Sequence, residues 1–145
     1  MAVKRDDPYA GFNFEVDLGD GAVAGFSEVS GLSIEVQAIA YREGSDKRNM
    51  VRKLPGLAKV SDVTLKRGVV GSLELYQWLR QGVLGAAQKR MVVIRLWTED
   101  RTDVAITWKL VNAWPVKLTH GPLRAAANEV VVEELVLAAD ALELE

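Results

Sequence analysis

The chain has 145 residues, of which 49% are hydrophobic and 26% charged, with a formal net charge of −2 and no cysteine. This length and balance fit one globular domain and are not typical of a disordered chain. The absence of cysteine excludes disulfides, thiolate metal sites and a cysteine nucleophile. The mild acidity is opposite in sign to the basic charge usual in nucleic-acid-binding domains, but it decides little by itself.

The N-terminal segment, residues 1–8, is charged and is not followed by an apolar core, so it is unlike a signal peptide. We predict that residues 1–8 form a flexible arm. No apolar run approaches the roughly 20 residues that a transmembrane helix needs, so no membrane-spanning segment is expected. The expectation is a protein made in the cytoplasm that stays soluble there unless it is released.

Alternating apolar and polar residues predict β-strands along the first half of the chain. The first strand covers 12–18, and Gly19-Asp20-Gly21 supplies the following turn. A weaker strand covers 23–29, and a third runs from Leu32 to Tyr41. A further strand is predicted over 59–66.

Between these strands, residues 42–56 are highly charged and have no clear periodicity. Most loops in compact domains have about four to six residues, so a loop this long is usually functional or mobile. Its mixture of basic and acidic residues suits a solvated loop, but equally a polar protein–protein contact in which charged pairs fix the register.

One helix is predicted after the loop and strand, with Ser72 as N-cap and Gly82 as C-cap. Its apolar stripe consists of Leu75, Trp78 and Leu79, at helical spacing. Strands then return at 91–97 and 104–110, a kink is expected at 112–115, and a final strand covers 129–138. Together these elements predict a single mainly-β domain over 1–145, a β-sandwich or barrel of antiparallel strands with one flanking α-helix.

Candidate catalytic groups do not converge in the sequence. His120 is the only histidine, which excludes a serine–histidine–aspartate triad and a multi-histidine metal site. Paired carboxylates occur at Asp6-Asp7, Glu99-Asp100 and Glu133-Glu134, but they fall in the arm, in a turn and on opposite faces of a strand. We therefore expect no catalytic, cofactor-binding or metal site, and a protein that is not an enzyme.

Six short segments resemble the tail tube family of T-even-like contractile phages and extracellular contractile injection systems. Each is weak alone, but their order and spacing are specific. The segments are GFSEVSGL at 25–32, YREG at 41–44, RKLPGL at 52–57, VTLKRG at 63–68, WKLVNAWPVK at 108–117 and NEVxVEEL at 128–135.

The resemblance implies a tail-tube-like protomer that assembles into stacked hexameric rings, with a lumen for cargo or DNA, inside a contractile sheath with baseplate and cap or terminator proteins. It also implies that the loop over 42–56 reaches adjacent subunits. Exposed strand edges, normally a hazard, would then serve as contacts. The candidate oligomer-interface residues are Arg42, Glu43, Asp46, Lys47, Arg48, Asn49, Met50, Arg52, Lys53 and Leu54.

Two departures from the family pattern concern local details: the segment 120–127 is looser than usual, and the end of the chain lacks a Glu-Gly pair. The compact length favours an injection particle, possibly released from the cell, over a virion tail. Two alternatives stay open, a haemolysin-coregulated-like tube protein of type VI secretion and a small-ligand-binding β-barrel. The barrel would need an apolar pocket lined by residues such as Trp97 and Trp108.

Overall fold

The computed structural model describes residues 2, 4–20, 23–126 and 128–145, and these form ten strands and one α-helix. Every strand pair is antiparallel, which confirms the predicted mainly-β fold with a single helix. In chain order the elements are β1 Phe14–Asp17, β2 Val23–Ala24, β3 Glu28–Ser30, β4 Ile34–Tyr41, β5 Arg52–Val60, β6 Val63–Gly68, α1 Glu74–Val83, β7 Arg90–Trp97, β8 Val104–His120, β9 Val132–Ala138 and β10 Ala141–Leu144.

Strand β8, with 17 residues, joins the two halves of the main sheet. The strand order is β2-β1-β7-β8-β9-β6-β3, and β10 also pairs with β8. Along its first part β8 pairs with β7 and β10, and from Trp114 onward it pairs with β9. One long strand therefore carries the chain from one half of the sandwich to the other.

The predicted kink at 112–115 is a bend within β8 and not its end. Asn112 adopts a left-handed backbone with φ 53°, and the pairing register shifts between Pro115 and Lys117. Such an irregularity bends a strand without terminating it. Opposite the bend, Asp140 donates its backbone N–H to the carbonyl of Val111 at 2.9 Å, and the chain then resumes as β10. Sequence alternation did not predict β10.

The core lies between the two halves of the sheet and α1. Leu65 and Leu135 face each other across β6 and β9 and are fully buried. Trp78 of α1 is buried, and its indole N–H donates to the carbonyl of Gln88 at 2.7 Å. The buried apolar cluster consists of Val16, Leu18, Val63, Leu65, Leu75, Trp78, Val92, Ile94, Leu110, Ala113, Leu135, Leu137 and Leu142.

Two sequence assignments were wrong in detail. Phe12, expected on the apolar face of the first strand, lies before β1 and is 68% exposed. Both predicted caps of α1 are displaced. The N-cap residue is Leu73 and not Ser72. At the other end the helix runs to Val83, and the left-handed residue that follows it is Gly85, with φ 82°. Gly82 therefore lies within the last helical turn.

At the N-terminus, Arg5 connects the chain to the turn between β7 and β8. Its guanidinium donates to both carboxylate oxygens of Glu99, at 2.9 and 2.5 Å, and stacks over the ring of Tyr9 at 3.8 Å. The flexibility of residues 1–8 stays a prediction, but these contacts give the described part of the arm a defined attachment point.

Candidate assembly surface

A two-stranded hairpin formed by β4 and β5 makes a separate sheet at the edge of the sandwich. The hairpin follows the paired strands β3 and β6 along the chain. Where the β3–β6 pair ends and the β4–β5 pair begins, Ser61 donates its N–H to the carbonyl of Ser33 at 3.1 Å. Beyond this point the hairpin has no strand neighbour on either side among the described residues.

The extent of the hairpin corrects the predicted loop over 42–56. Since β5 begins at Arg52, the connection between the strands is only 42–51, and residues 52–56 are strand. Pro55 has no N–H to donate, but β5 is an edge strand, where proline is tolerated. The strand predicted over 59–66 is likewise two strands, because the chain breaks at Ser61 and Asp62 between β5 and β6.

The pairing register assigns the hairpin residues to two faces, because directly opposed side chains share a face. Ile39 is opposite Leu54, and Tyr41 is opposite Arg52, so these four lie on one face. The other face is almost entirely apolar. Its members are Ile34, Val36, Ala38, Ala40, Lys53, Pro55, Ala58 and Val60.

Apart from Val60, which packs against the core, this apolar surface is open to solvent in the single chain. All eight residues of β4 are exposed, whereas the sequence pattern predicted a half-buried strand. Ile34 is 55% exposed and Val36 is 59% exposed. An isolated two-stranded hairpin is at best marginally stable in water, and a large contiguous apolar patch usually marks an interaction site. The hairpin is therefore the strongest candidate for a protein-binding surface.

Gly56 allows the middle of the hairpin to pack closely. A Cβ atom added there would lie 2.9 Å from the carbonyl oxygen of Gln37 and 2.9 Å from Cδ1 of Ile39. The pairing is irregular between Val36 and Ala38, directly across from this point. Because Gly56 has no side chain, the side chain of Ile39 can pack against the backbone at this position.

The tip of the hairpin is organised by Arg42. Its guanidinium donates to the backbone carbonyls of Asp46, at 2.9 Å, and Arg48, at 3.0 Å. Asp46 Oδ1 accepts the N–H of Arg48 at 3.2 Å, and Glu43 accepts the Tyr41 hydroxyl at 3.2 Å. These bonds hold the shape of the turn.

The ten candidate interface residues thus divide into three groups. Arg42, Glu43, Asp46 and Arg48 bond with one another or with neighbouring backbone; Lys47, Asn49 and Met50 project at the tip; and Arg52, Lys53 and Leu54 lie on β5. Sequence reasoning missed the exposed apolar residues of the hairpin strands. These are Ile34, Val36, Ile39 and Leu57, and the available signal was the Leu-Pro-Gly-Leu run, which fits an edge strand.

The second and third carboxylate pairs take part in structural contacts. The Arg5 guanidinium, bonded to Glu99, lowers the pKa of that carboxyl to about 2. Hydrogen bonds from Thr98 and Thr102 lower the pKa of Asp100, closing the turn between β7 and β8.

In the third carboxylate pair, Glu133 is buried and Glu134 lies on the opposite face of β9. His120, at the end of β8, is exposed and opposite Glu133 in the strand register. Arg67 is a side-chain partner of Glu133, and its Nε donates to Glu133 Oε2 at 3.2 Å.

The apolar pocket that a small-ligand-binding barrel would need is not lined by both Trp97 and Trp108. An apolar cleft next to Trp108, with Phe14 and Leu96 in its wall, has a volume of about 260 Å³. Pockets for drug-sized ligands usually span roughly 300–1,000 Å³. Within the described ranges, no group of three or more histidine, cysteine or carboxylate residues could hold a metal ion, and no helix is long and apolar enough to cross a membrane.

Solved structures of contractile injection systems are similar to this chain over nearly its whole length. A chain of the PVC extracellular contractile injection system sheath–tube complex in the extended state is 32% identical, with a TM-score of 0.85, covering 95% of this chain and 91% of that one. A chain of the PVC sheath/tube terminator is 32% identical, with a TM-score of 0.87 and coverages of 97% and 98%. A chain of the anti-feeding prophage tube-terminating cap is 30% identical, with a TM-score of 0.82 and coverages of 100% and 95%.

Hcp1 from Flavobacterium johnsoniae shares only 13% identity, with a TM-score of 0.57 and coverages of 92% and 94%. This likeness shows a common fold alone, so the haemolysin-coregulated alternative is the weaker one. No curated protein sequence matches the chain significantly. The model of the T4-like virus tail tube protein gp19 family matches residues 10–143. From this match and the similarity to the injection-system structures, the chain belongs to the T4-like virus tail tube protein gp19 family and is a structural tail tube protein.

Proposed function

We propose that the chain is the inner-tube subunit of an extracellular contractile injection particle. Six copies form a ring, rings stack into a conduit, and residues 42–54 with the flanking strands β4 and β5 contact neighbouring subunits. The observation that carries this proposal is the hairpin itself, whose apolar residues are exposed in the single chain. The similarity to PVC and anti-feeding prophage structures supports a particle of that type.

Physical chemistry favours burial of the hairpin in an assembly. Burying apolar surface stabilises by about 25 cal/mol per Å², and Val36 and Leu57 alone are more than half exposed. The β4 and β5 edges also carry backbone groups that a neighbouring strand could satisfy. If each subunit contacts the next through the same rotation and the rotation closes after six copies, the subunits form a ring. Stacking such rings along their common axis forms a tube.

The partners follow from the similar structures, which are named as a sheath–tube complex, a sheath/tube terminator, a cap and a baseplate. By this similarity the chain meets sheath, cap and baseplate proteins, and its lumen conducts cargo or DNA without reading sequence. It is made in the cytoplasm as a single tube domain over 1–145, acts without catalysis or cofactor, and leaves the cell within the particle.

Electron microscopy of the full chain tests the proposal. The chain is purified alone and also co-produced with its sheath and baseplate partners. We expect tubes whose averaged cross-sections have six-fold symmetry. Compact monomers at high concentration, persisting when the partners are supplied, would contradict the proposed function.

A further inference from the structure

Arg67, near the end of β6, has a hydrogen-bond donor that the folded chain leaves without an acceptor. The residue is only 9% exposed, and its Nε donates to Glu133 Oε2 at 3.2 Å. Nη2 of the same guanidinium is shielded from solvent and has no hydrogen-bond partner among the described residues. A buried donor without an acceptor is costly, and more so when the donor group is charged. A ligand that brings an acceptor to Nη2 therefore gains a charge-assisted hydrogen bond.

An open cleft next to Arg67 has room for such a ligand. Its volume is about 510 Å³, which lies within the range of roughly 300–1,000 Å³ that is usual for ligand sites. The centroid of the Phe26 ring lies 5.4 Å from Arg67 Cζ, and this side chain is only partly buried. The ring can therefore shift to admit a ligand atom to Nη2. We call the site the Arg67 cleft, and its lining residues are Gly25, Phe26, Ser27, Arg67, Gly68 and Val70.

The charges of the Arg67 cleft favour an uncharged ligand. Arg67 and Glu133 neutralise each other, and the other five lining residues carry no charge. An anionic ligand would have to enter beside the carboxylate of Glu133, which is itself buried. Bringing a second negative charge next to a buried carboxylate is unfavourable. A neutral oxygen acceptor, such as an amide carbonyl, satisfies Nη2 without this repulsion.

The walls of the cleft favour a peptide over other amides. Phe26 and Val70 offer apolar contact surface beside the donor. A Cβ atom added at Gly25 meets no atom within 4 Å, so a main chain can approach closely there. The neighbouring strand β3 pairs only with β6 among the described residues, and its free edge offers backbone groups to an extended segment.

We propose that the Arg67 cleft binds a peptide segment of another polypeptide chain. A backbone carbonyl of the segment accepts a hydrogen bond from Arg67 Nη2, and an apolar side chain next to that carbonyl packs on Phe26 and Val70. None of the lining residues belongs to the hairpin of β4 and β5, and the chemistry of the site does not depend on the tube function.

Binding of a small amide to the full chain is the first test. The probe is N-acetyl-L-leucinamide, which carries amide carbonyls and one apolar side chain, and isocaproate is its comparator with a carboxylate in place of the amides. Saturation-transfer NMR, observed on the ligand, measures both. We expect a dissociation constant in the millimolar range for the amide, as is usual for so small a ligand, and binding of isocaproate weaker by about tenfold. No binding of the amide, or equal binding of isocaproate, would overturn the proposal.

Glycine substitutions locate the bound amide. Gly25→Leu places a side chain in the Arg67 cleft, so we expect amide binding to weaken by about tenfold or more. Gly11→Leu is the matched control, because a Cβ there also meets no atom within 4 Å and Gly11 lines the separate cleft next to Trp108. Circular dichroism and thermal melting establish that both variants fold, and Gly25→Ala gives a smaller substitution at the same position. Unchanged binding in Gly25→Leu, or equal loss in Gly11→Leu, would show that the amide binds elsewhere.

Comparison of the free chain with assembled tubes identifies the source of the peptide. If a neighbouring copy supplies the carbonyl, tubes do not bind the amide and Gly25→Leu lowers the yield of tubes. If a different protein supplies it, tubes and free chain bind the amide equally and Gly25→Leu forms tubes normally. A chain that binds the amide but never assembles would contradict the proposed function alone. Tubes formed by a chain that does not bind the amide would contradict the peptide site alone.

Discussion

Ile39 of β4 lies directly opposite Leu54 of β5, and the two side chains are 48% and 44% exposed. They share one face of a hairpin that projects beyond the folded sheet. Opposed apolar side chains on adjacent strands stabilise a sheet modestly, by about 0.2–1 kcal/mol. This small contribution does not account for so exposed a hairpin in a single chain, which is why we propose that its apolar residues are buried between chains.

Replacing this pair with charge should block assembly without unfolding the domain. We expect Ile39→Asp and Leu54→Asp to leave the melting temperature within a few degrees of the unchanged chain, because the core lies elsewhere. Both should abolish tubes, since burial of an unpaired carboxylate is costly. Analytical ultracentrifugation measures the outcome.

The control for these variants is Phe12→Asp, at an apolar position that is 68% exposed but distant in sequence from the hairpin. It should assemble normally. Tubes from Ile39→Asp would argue that the hairpin face is not an interface, and unfolding of either hairpin variant would argue that the hairpin is part of the core.

Gly56→Ala should weaken assembly through the shape of the hairpin. The added Cβ meets the Gln37 carbonyl oxygen and Ile39 Cδ1 at 2.9 Å, so the strand must shift. Gly44→Ala is the matched control, since a Cβ at Gly44 meets no atom within 4 Å. We expect fewer and shorter tubes from Gly56→Ala and an unchanged length distribution from Gly44→Ala in negative-stain images. Equal effects of the two substitutions would exclude this steric account.

Removing only one partner of the ion pair between Arg67 and Glu133 should strongly destabilise the folded chain. Nε of Arg67 donates to Glu133 Oε2 at 3.2 Å, and the side chains are only 10% and 4% exposed. Glu133→Leu or Arg67→Met leaves one buried charged group without its partner, so we expect the unfolding free energy to fall by about 3–5 kcal/mol.

Urea denaturation in the assembly-deficient Ile39→Asp background measures this loss as an equilibrium property of the monomer. The double variant Arg67→Met/Glu133→Leu removes both charges and should recover most of the stability. If the double variant loses as much unfolding free energy as the two single variants lose together, the two side chains are not energetically coupled and the proposed ion pair is contradicted.

The attachment of the N-terminal arm should depend on acid pH. The Arg5 guanidinium lowers the pKa of Glu99 from 4.5 to about 2, so the carboxylate form is favoured in the folded chain. Its contribution is complete above pH 4.5 and is lost as the pH falls toward 2. Hydrogen exchange of the Ala10 amide, which donates to Glu99 Oε1 at 3.2 Å, reports the change.

We expect Ala10 protection to decline between pH 4.5 and 2, and Glu99→Gln to remove this pH dependence while leaving exchange in the core unchanged. Protection of Ala10 that is constant over the whole range would show that Glu99 does not hold the arm.

The sequence predicted the class of fold because local periodicity reflects burial in the main sheet. Val63 and Leu65 alternate with polar residues in β6, and Leu75 and Trp78 share the buried side of α1, as their spacing indicates. The expectation that the chain has no catalytic site rested on one histidine and no cysteine, which leave few possible combinations. The family resemblance supplied the expectation of rings stacked into a tube.

Other features depended on long-range pairing, which local patterns do not encode. The same alternation in Ile34 and Val36 that predicts a half-buried strand belongs to an exposed hairpin, because no other layer of the chain covers it. Likewise, Arg52 and Leu54 lie in a strand because they pair with β4, although the segment is charged and contains a proline. Composition and periodicity by themselves thus determined a mainly-β, cysteine-free domain with one helix. The tertiary structure decided which apolar residues remain uncovered, because burial is a property of the packed layers and not of the strand pattern.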